Sequence, residues 1–167
     1  LEIVLYDRYR GIEFDTARVP LVEREHVYAE PSMQAQADVD FGGVMRLLGY
    51  DLVQTGDELR LTLHWRALSA MTTDYRVFVH LFDPATERIV AQFDGMPLRG
   101  AYPTSWWWPG EVLSDQITLS LAGVPAGNYR LATGVYNPIT VTRLQAVDAA
   151  GHPLPANRLI LPMIEVP

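Results

Sequence analysis

Hydrophobic and polar positions alternate with a period of two through much of the chain, the signature of half-buried strands. Leu59, Leu61, Leu63, Trp65 and Ala67 share one face of a segment whose other face carries Arg60, Thr62, His64 and Arg66. Ile117, Leu119 and Leu121 repeat the scheme against Gln116, Thr118 and Ser120. From Tyr75 to Phe82 both faces are largely apolar, with Tyr75, Val77, Val79 and Leu81 on one and Phe78, His80 and Phe82 on the other. This pattern predicts a central strand covered on both sides.

Turn signals punctuate these runs at short intervals. Thr55-Gly56-Asp57 separates a strand around Leu47–Leu52 from the one that opens at Leu59, and Asp83-Pro84-Ala85-Thr86 ends the central strand before Ile89, Ala91 and Phe93. Val124-Pro125-Ala126-Gly127 precedes a strand over Tyr129–Tyr136 that Asn137-Pro138 closes. Ala149-Ala150-Gly151-His152 reads as the tip of a last hairpin before Leu159–Val166, and a further strand is predicted over Glu2–Tyr9. Only Ser32–Ala37 offers a turn or two of helix, and Met96–Pro109 is the least regular stretch. The fold class is all-β: an antiparallel β-sandwich, Ig-like or jelly-roll-like, of about nine or ten strands with minimal helix. Without a compositional break or internal repeat, residues 1–167 form one domain.

Composition narrows the chemistry. A chain of 167 residues buries roughly 70% of its unfolded surface, so its core needs neither metal nor disulfide. The net charge is −7 with 13 Lys and Arg, which lacks the basic stripe that nucleic acid requires and disfavours an anionic membrane surface. The absence of cysteine excludes thiol catalysis and thiolate metal sites. No apolar run approaches the roughly 20 residues of a bilayer span. The chain opens at Leu1 without a signal pattern, and we expect a domain excised from a larger protein.

Hydrolase motifs are missing. None of the five serines lies in Gly-x-Ser-x-Gly, no histidines have the His-Glu-x-x-His spacing, and no glycine-rich phosphate loop follows a strand. His80 and Asp94 fall on adjacent predicted strands and can meet if these pair, either as a catalytic dyad or as a satisfied structural pair. The structural role is the expectation for both. Asp83, Glu87, Asp94 and Asp115 lie near strand ends, where oxygen ligands could hold a structural calcium; no loop shows alternating acidic ligands, and no metal site or other cofactor is assigned. Asp115 shares the parity of inward Ile117 and is expected to satisfy backbone amides at the rim. Gly127-x-Tyr129 opening a strand is expected to form a tyrosine corner. Trp106-Trp107-Trp108 is the strongest anomaly, because three successive indoles cannot all enter one core. An exposed indole presents a flat apolar plane suited to a sugar ring, so Trp106 and Trp108, with Tyr102 and Arg99 nearby, are the candidate ligand residues. The alternative is that all three indoles pack as a lid on the sandwich.

Six segments in order carry a resemblance: Leu48-Gly49-Tyr50-Asp51-Leu52, Leu61 to Ala67, Tyr75 to Leu81, Phe93-Asp94-Gly95-Met96-Pro97, Tyr102 to Glu111, and Pro125 to Leu131. From about Phe41 to Val166 the chain resembles the C-terminal extracytoplasmic β-sandwich domain of bacterial membrane glycosyltransferases of the family-39, dolichyl-phosphate-mannose-protein mannosyltransferase-like class. The family pattern places its tryptophan at Trp107, with Pro109-Gly110-Glu111 following. The resemblance implies an extracytoplasmic accessory module tethered to the membrane through a parent protein, which performs any sugar transfer. It brings no catalytic residues.

The expectation is therefore a non-catalytic module that binds glycan or glycolipid or packs on its parent membrane domain. Two rivals stand beside it: a purely structural or protein-interaction domain, and a small carbohydrate-active enzyme using Asp94 with His80 or a second carboxylate. Trp65, Phe78, Trp107 and Tyr129 are expected between the two sheets, with Leu61, Leu63, Val79, Leu119 and Leu131.

Overall fold

In the computed structural model, residues 2–7, 12–18 and 25–167 are described, with side chains over 25–167. Strands β1 (Glu2–Asp7) and β2 (Ile12–Arg18) pair with each other in a sheet of their own. Strands β3 (Ala35–Phe41), β4 (Met45–Thr55) and β5 (Glu58–Ala67) then run as a meander in the first main sheet. The chain crosses to a second sheet for the hairpin of β6 (Arg76–Phe82) and β7 (Ile89–Gly95), and returns with β8 (Val112–Ser120) to lie beside β5. Strands β9 (Gly127–Asn137) and β10 (Thr142–Arg143) belong to the second sheet. Short β11 (Ala146–Val147) edges the first beside β3, and β12 (Leu159–Val166) pairs with β9 in the second. Each pairing between these strands is antiparallel, as the alternating pattern predicts for an all-β sandwich.

The two-residue turn Gly56-Asp57, with Gly56 at φ +55, joins Thr55 to Glu58 and sets the β4–β5 register. A positive φ is the conformation such hairpin turns demand. That register carries Leu59, Leu61, Leu63 and Trp65 inward, where they meet Val77, Val79, Leu81, Leu131 and Val135 from the facing sheet. Trp65 and Trp107 are both buried in this core, and Phe41 packs edge-on against Trp65 at 5.8 Å between ring centroids.

Four expectations need correction. Ser32–Ala37 makes no helix: Ala35 and Gln36 already pair with Tyr50 and Gly49 of β4, and sheet pairing overrides a weak local preference. Phe78 is buried but does not lie between the sheets. It sits on the outer face of β6, beneath the Arg143 guanidinium 4.5 Å from its ring centroid and close to Gly134. The turn at 148–152 does form, through Asp148 and His152, yet it leads only to a bridge between Val147 and Pro153; Leu159–Val166 joins β9 instead of β11. Strands also outnumber the expected nine or ten, because the short β10 and β11 carry too few residues to show a period. Beyond Asp7, the predicted strand Glu2–Tyr9 runs outside the described residues.

A segment without regular structure, residues 25–34, crosses the outer face of the first sheet as a strap. The Val27 carbonyl accepts from Val112 N–H at 2.7 Å, Glu30 pairs with Arg66 of β5, Met33 lies over Gly49 of β4, and Gln34 N–H donates to Asp51 at 2.7 Å. A side chain at position 49 would meet Ala35 O at 2.2 Å and Met33 Sδ at 2.3 Å. Only glycine lets strap and strand approach this closely.

Candidate ligand site

The three indoles divide as backbone geometry requires. Thr104–Trp106 forms one 3-10 turn, closed by Trp106 N–H to Pro103 O at 2.9 Å and Trp107 N–H to Thr104 O at 3.1 Å. Trp107 is extended, so the side chains before and after it project to the opposite side. Trp107 is buried and its indole N–H donates to Tyr102 O at 3.0 Å. Trp106 and Trp108 are 62% and 58% exposed, which rules out a lid made of all three. Together with Ala70, Ser105 and Pro109 they line a shallow concavity of about 440 Å³.

Buried polar groups hold this loop from beneath. Thr104 Oγ1 donates to Thr73 O and accepts from Tyr75 N–H, both at 2.9 Å. The Tyr102 hydroxyl donates to Trp106 O at 2.8 Å and approaches a Glu111 carboxylate oxygen at 3.1 Å. Glu111, 1% exposed, also accepts Trp108 N–H at 3.0 Å and lies 3.2 Å from His26 Nδ1. The His26 ring in turn leans on Trp108 with centroids 4.9 Å apart. The platform is thus anchored on both sides of Trp107, which lowers the ordering cost of any ligand it takes.

Of the four candidate ligand residues, Trp106 and Trp108 come together. Tyr102 is buried under the loop and supports the platform without facing it. Arg99 is exposed but stands apart from the concavity, in the turn Pro97–Gly100, where its charge faces Asp115. Leu98 and Arg99 in that turn have φ of +53 and +55, a left-handed conformation that side chains rarely adopt. Asp115 stabilises it: its Oδ1 accepts Leu98 N–H at 2.8 Å. The carboxyl is 1% exposed, its Oδ2 has no hydrogen-bond partner among the described residues, and burial raises its pKa to about 6 against the pull of the Leu98 amide.

His80 Nε2 lies 3.3 Å from Asp94 Oδ2. Burial lowers the imidazole pKa, opposed by that carboxylate. The His80 ring packs at a tilt against Phe78, with centroids 4.7 Å apart. Tyr129 makes the expected corner, its hydroxyl donating to Pro125 O at 2.9 Å. The acids considered for calcium disperse: Asp83 accepts Ala85 N–H, Glu87 pairs with Arg158, Asp94 with His80, and Asp115 with Leu98. Among the described residues no three His, Asp or Glu side chains converge as metal ligands.

One constellation escaped sequence reasoning. On the outer face of the first sheet, buried His64 lies 2.9 Å from Asp51 Oδ2 through Nε2 and 2.9 Å from Ser114 Oγ through Nδ1. The hydrogen bond from His64, with that from Gln34 N–H, holds the Asp51 pKa below its ordinary value. The order Asp, His, Ser is that of a proton relay.

Fold and site together define an antiparallel β-sandwich with an anchored, solvent-facing indole pair. A scan against protein-family models found no match, and neither did a search of curated proteins. Among solved structures, the fold resembles the C-terminal domain of wzt, with TM-score 0.50 and 14% identity, over 77% of this chain and 83% of that one. Looser likeness extends to wild-type OgpA from Akkermansia muciniphila, at TM-score 0.38 and 13% identity. A catalytically inactive OgpA in complex with an O-glycopeptide substrate gives 0.37 and 12%. The chain matches 30% and 29% of those longer proteins. At these identities the likeness is one of fold.

Proposed function

We propose that this chain is a non-catalytic accessory β-sandwich that binds glycan through Trp106 and Trp108, as the extracytoplasmic part of a membrane glycosyltransferase-like parent. The observation that carries the reading is the pair of indoles exposed at 62% and 58% on either side of a buried one. Exposed aromatic area of this size calls for a covering surface, and the C–H face of a pyranose matches a rigid indole plane. Ser105, whose backbone N–H is already bound to Asp74 at 3.1 Å, leaves its hydroxyl to orient sugar hydroxyls. The parent protein rests on the six ordered segments and their resemblance to the family-39 sandwich domain.

Titration of the domain with a glycan panel, followed by tryptophan fluorescence, tests the proposal. A saturable change is expected with at least one glycan, and it should disappear in the double variant Trp106→Ala/Trp108→Ala while the melting temperature stays near wild type. A folded wild-type domain that responds to no glycan of a broad panel overturns it and favours protein contact at the same patch.

A further inference from the structure

A second concavity lies on the outer face of the first sheet, apart from the indole loop. It encloses about 250 Å³ between the strap and the bulged end of β3 and β4. Leu48 and Met33 contribute its apolar surface, and Arg46, Arg66, Asp38, Glu30 and Gln36 line the rest. Arg46 and Arg66 are direct cross-strand partners, an arrangement that destabilises a sheet unless the charges are compensated. Here each is compensated separately. Arg66 Nη2 donates to Glu30 at 2.7 Å, and Arg46 lies 3.2 Å from Asp38 and 3.7 Å from Asp40.

These pairs leave donors to spare. A guanidinium carries five N–H groups. Among the described residues Arg66 uses one on Glu30, and Arg46 engages Asp38 and Asp40 through its two terminal nitrogens. Asp38 meets Arg46 from a bulge at φ +50, and strained backbone of this kind gathers at ligand sites. The charges that line the groove, Arg46 and Arg66 against Glu30 and Asp38, cancel, and Asp40 beside Arg46 adds a negative charge outside the lining, in a chain of net −7. That field repels phosphate and carboxylate ligands. What remains is a small recess with donors and acceptors side by side over an apolar floor, smaller than the roughly 300–1,000 Å³ of most ligand pockets.

We propose that this groove is a binding subsite for one uncharged polyhydroxylated ring, such as a single hexose unit. Its hydroxyls would take hydrogen bonds from Arg46 and Arg66 and give them to Glu30, Asp38 and the Gln36 amide. The assignment shares its ligand class with the glycan reading above but uses none of the indole residues, so the two fail independently.

Amide chemical shifts of the whole domain, recorded while glucose, mannose, galactose, N-acetylglucosamine or glucuronate is added, test it. At least one neutral sugar should shift Gln36, Asp38, Arg46, Leu48 and Arg66 in a saturable way. Arg66→Gln should weaken that response at least tenfold, and Gln36→Trp, which changes an exposed position and obstructs the groove, should abolish it in a domain that still melts cooperatively. Trp106→Ala/Trp108→Ala should leave it intact. Groove amides unmoved by all four neutral sugars overturn the subsite, as do shifts confined to the indole loop, although the latter leave the glycan reading standing. Glucuronate shifting the groove at lower concentration than the neutral sugars overturns the assignment to an uncharged ligand.

Discussion

Replacing Asp115 with asparagine isolates the cost of one buried carboxylate. The side chain is almost wholly enclosed, accepts a single backbone N–H through Oδ1 and leaves Oδ2 without a partner among the described residues. Burial moves its pKa from 3.8 to about 6, and at 1.36 kcal/mol per pH unit this corresponds to about 3 kcal/mol. The sign follows from linkage: the folded state holds the proton more tightly than the unfolded chain, so stability falls as pH rises between 3.8 and about 6 and is level above. Asparagine keeps the acceptor for Leu98 N–H but cannot ionise. In denaturant titrations at pH 4 to 8, the stability of the variant relative to wild type should therefore rise with pH by about 2.5 kcal/mol of that total, with nearly half of the rise complete by pH 5. Taking the difference between the two proteins cancels every other titrating group. Parallel stability curves for the two proteins would show that Asp115 ionises in the fold as it does in water, and the burial argument would fail.

Two further outcomes concern packing. Trp107→Ala removes a fully buried indole and its hydrogen bond to Tyr102 O and should cost about 3–5 kcal/mol in chemical denaturation; a variant that unfolds at the wild-type midpoint would show the core closing without it. Gly49→Ala sets a methyl against Ala35 O and Met33 Sδ and should cost about 1–3 kcal/mol. Adding Met33→Ala should recover only part of that loss, because the backbone oxygen cannot withdraw as a side chain can.

The alternating segments were legible because one face of each strand meets water and the other a core, so period two reports both strand and orientation. Phe78 shows where that rule stops. When both faces of a strand are apolar, the pattern says that both are covered but not by what, and the second cover here comes from Arg143 and the residues near Asn157. The strap was invisible for the opposite reason: residues 25–34 have no period, and single contacts such as Glu30 with Arg66 hold them in place. The sheet that β12 joins was not legible either, because its inward Leu161, Ile164 and Val166 are equally compatible with both.

At the candidate sites the missing information was register. Diverging neighbours were enough to say that Trp106, Trp107 and Trp108 could not all enter one core; the choice of Trp107 as the buried one came from the resemblance. The Asp51, His64 and Ser114 row needed more. The turn Gly56-Asp57 places Asp51 opposite Thr62, one step along the same face from His64, and β8 then brings Ser114 directly opposite His64. Counting outward from that turn would have found the Asp–His pair, since a two-residue hairpin loop determines every pairing up to the next bulge. Ser114 could not be reached this way, because β5 and β8 are separated by an excursion through the other sheet. The groove was hidden for a different reason: its Arg46 and Arg66 lie on one hairpin but face each other only after the bulge at Leu48 shifts the register by one. Without that shift the two guanidinium groups would not stand directly opposite each other, and the paired carboxylates around them would have no common recess to line.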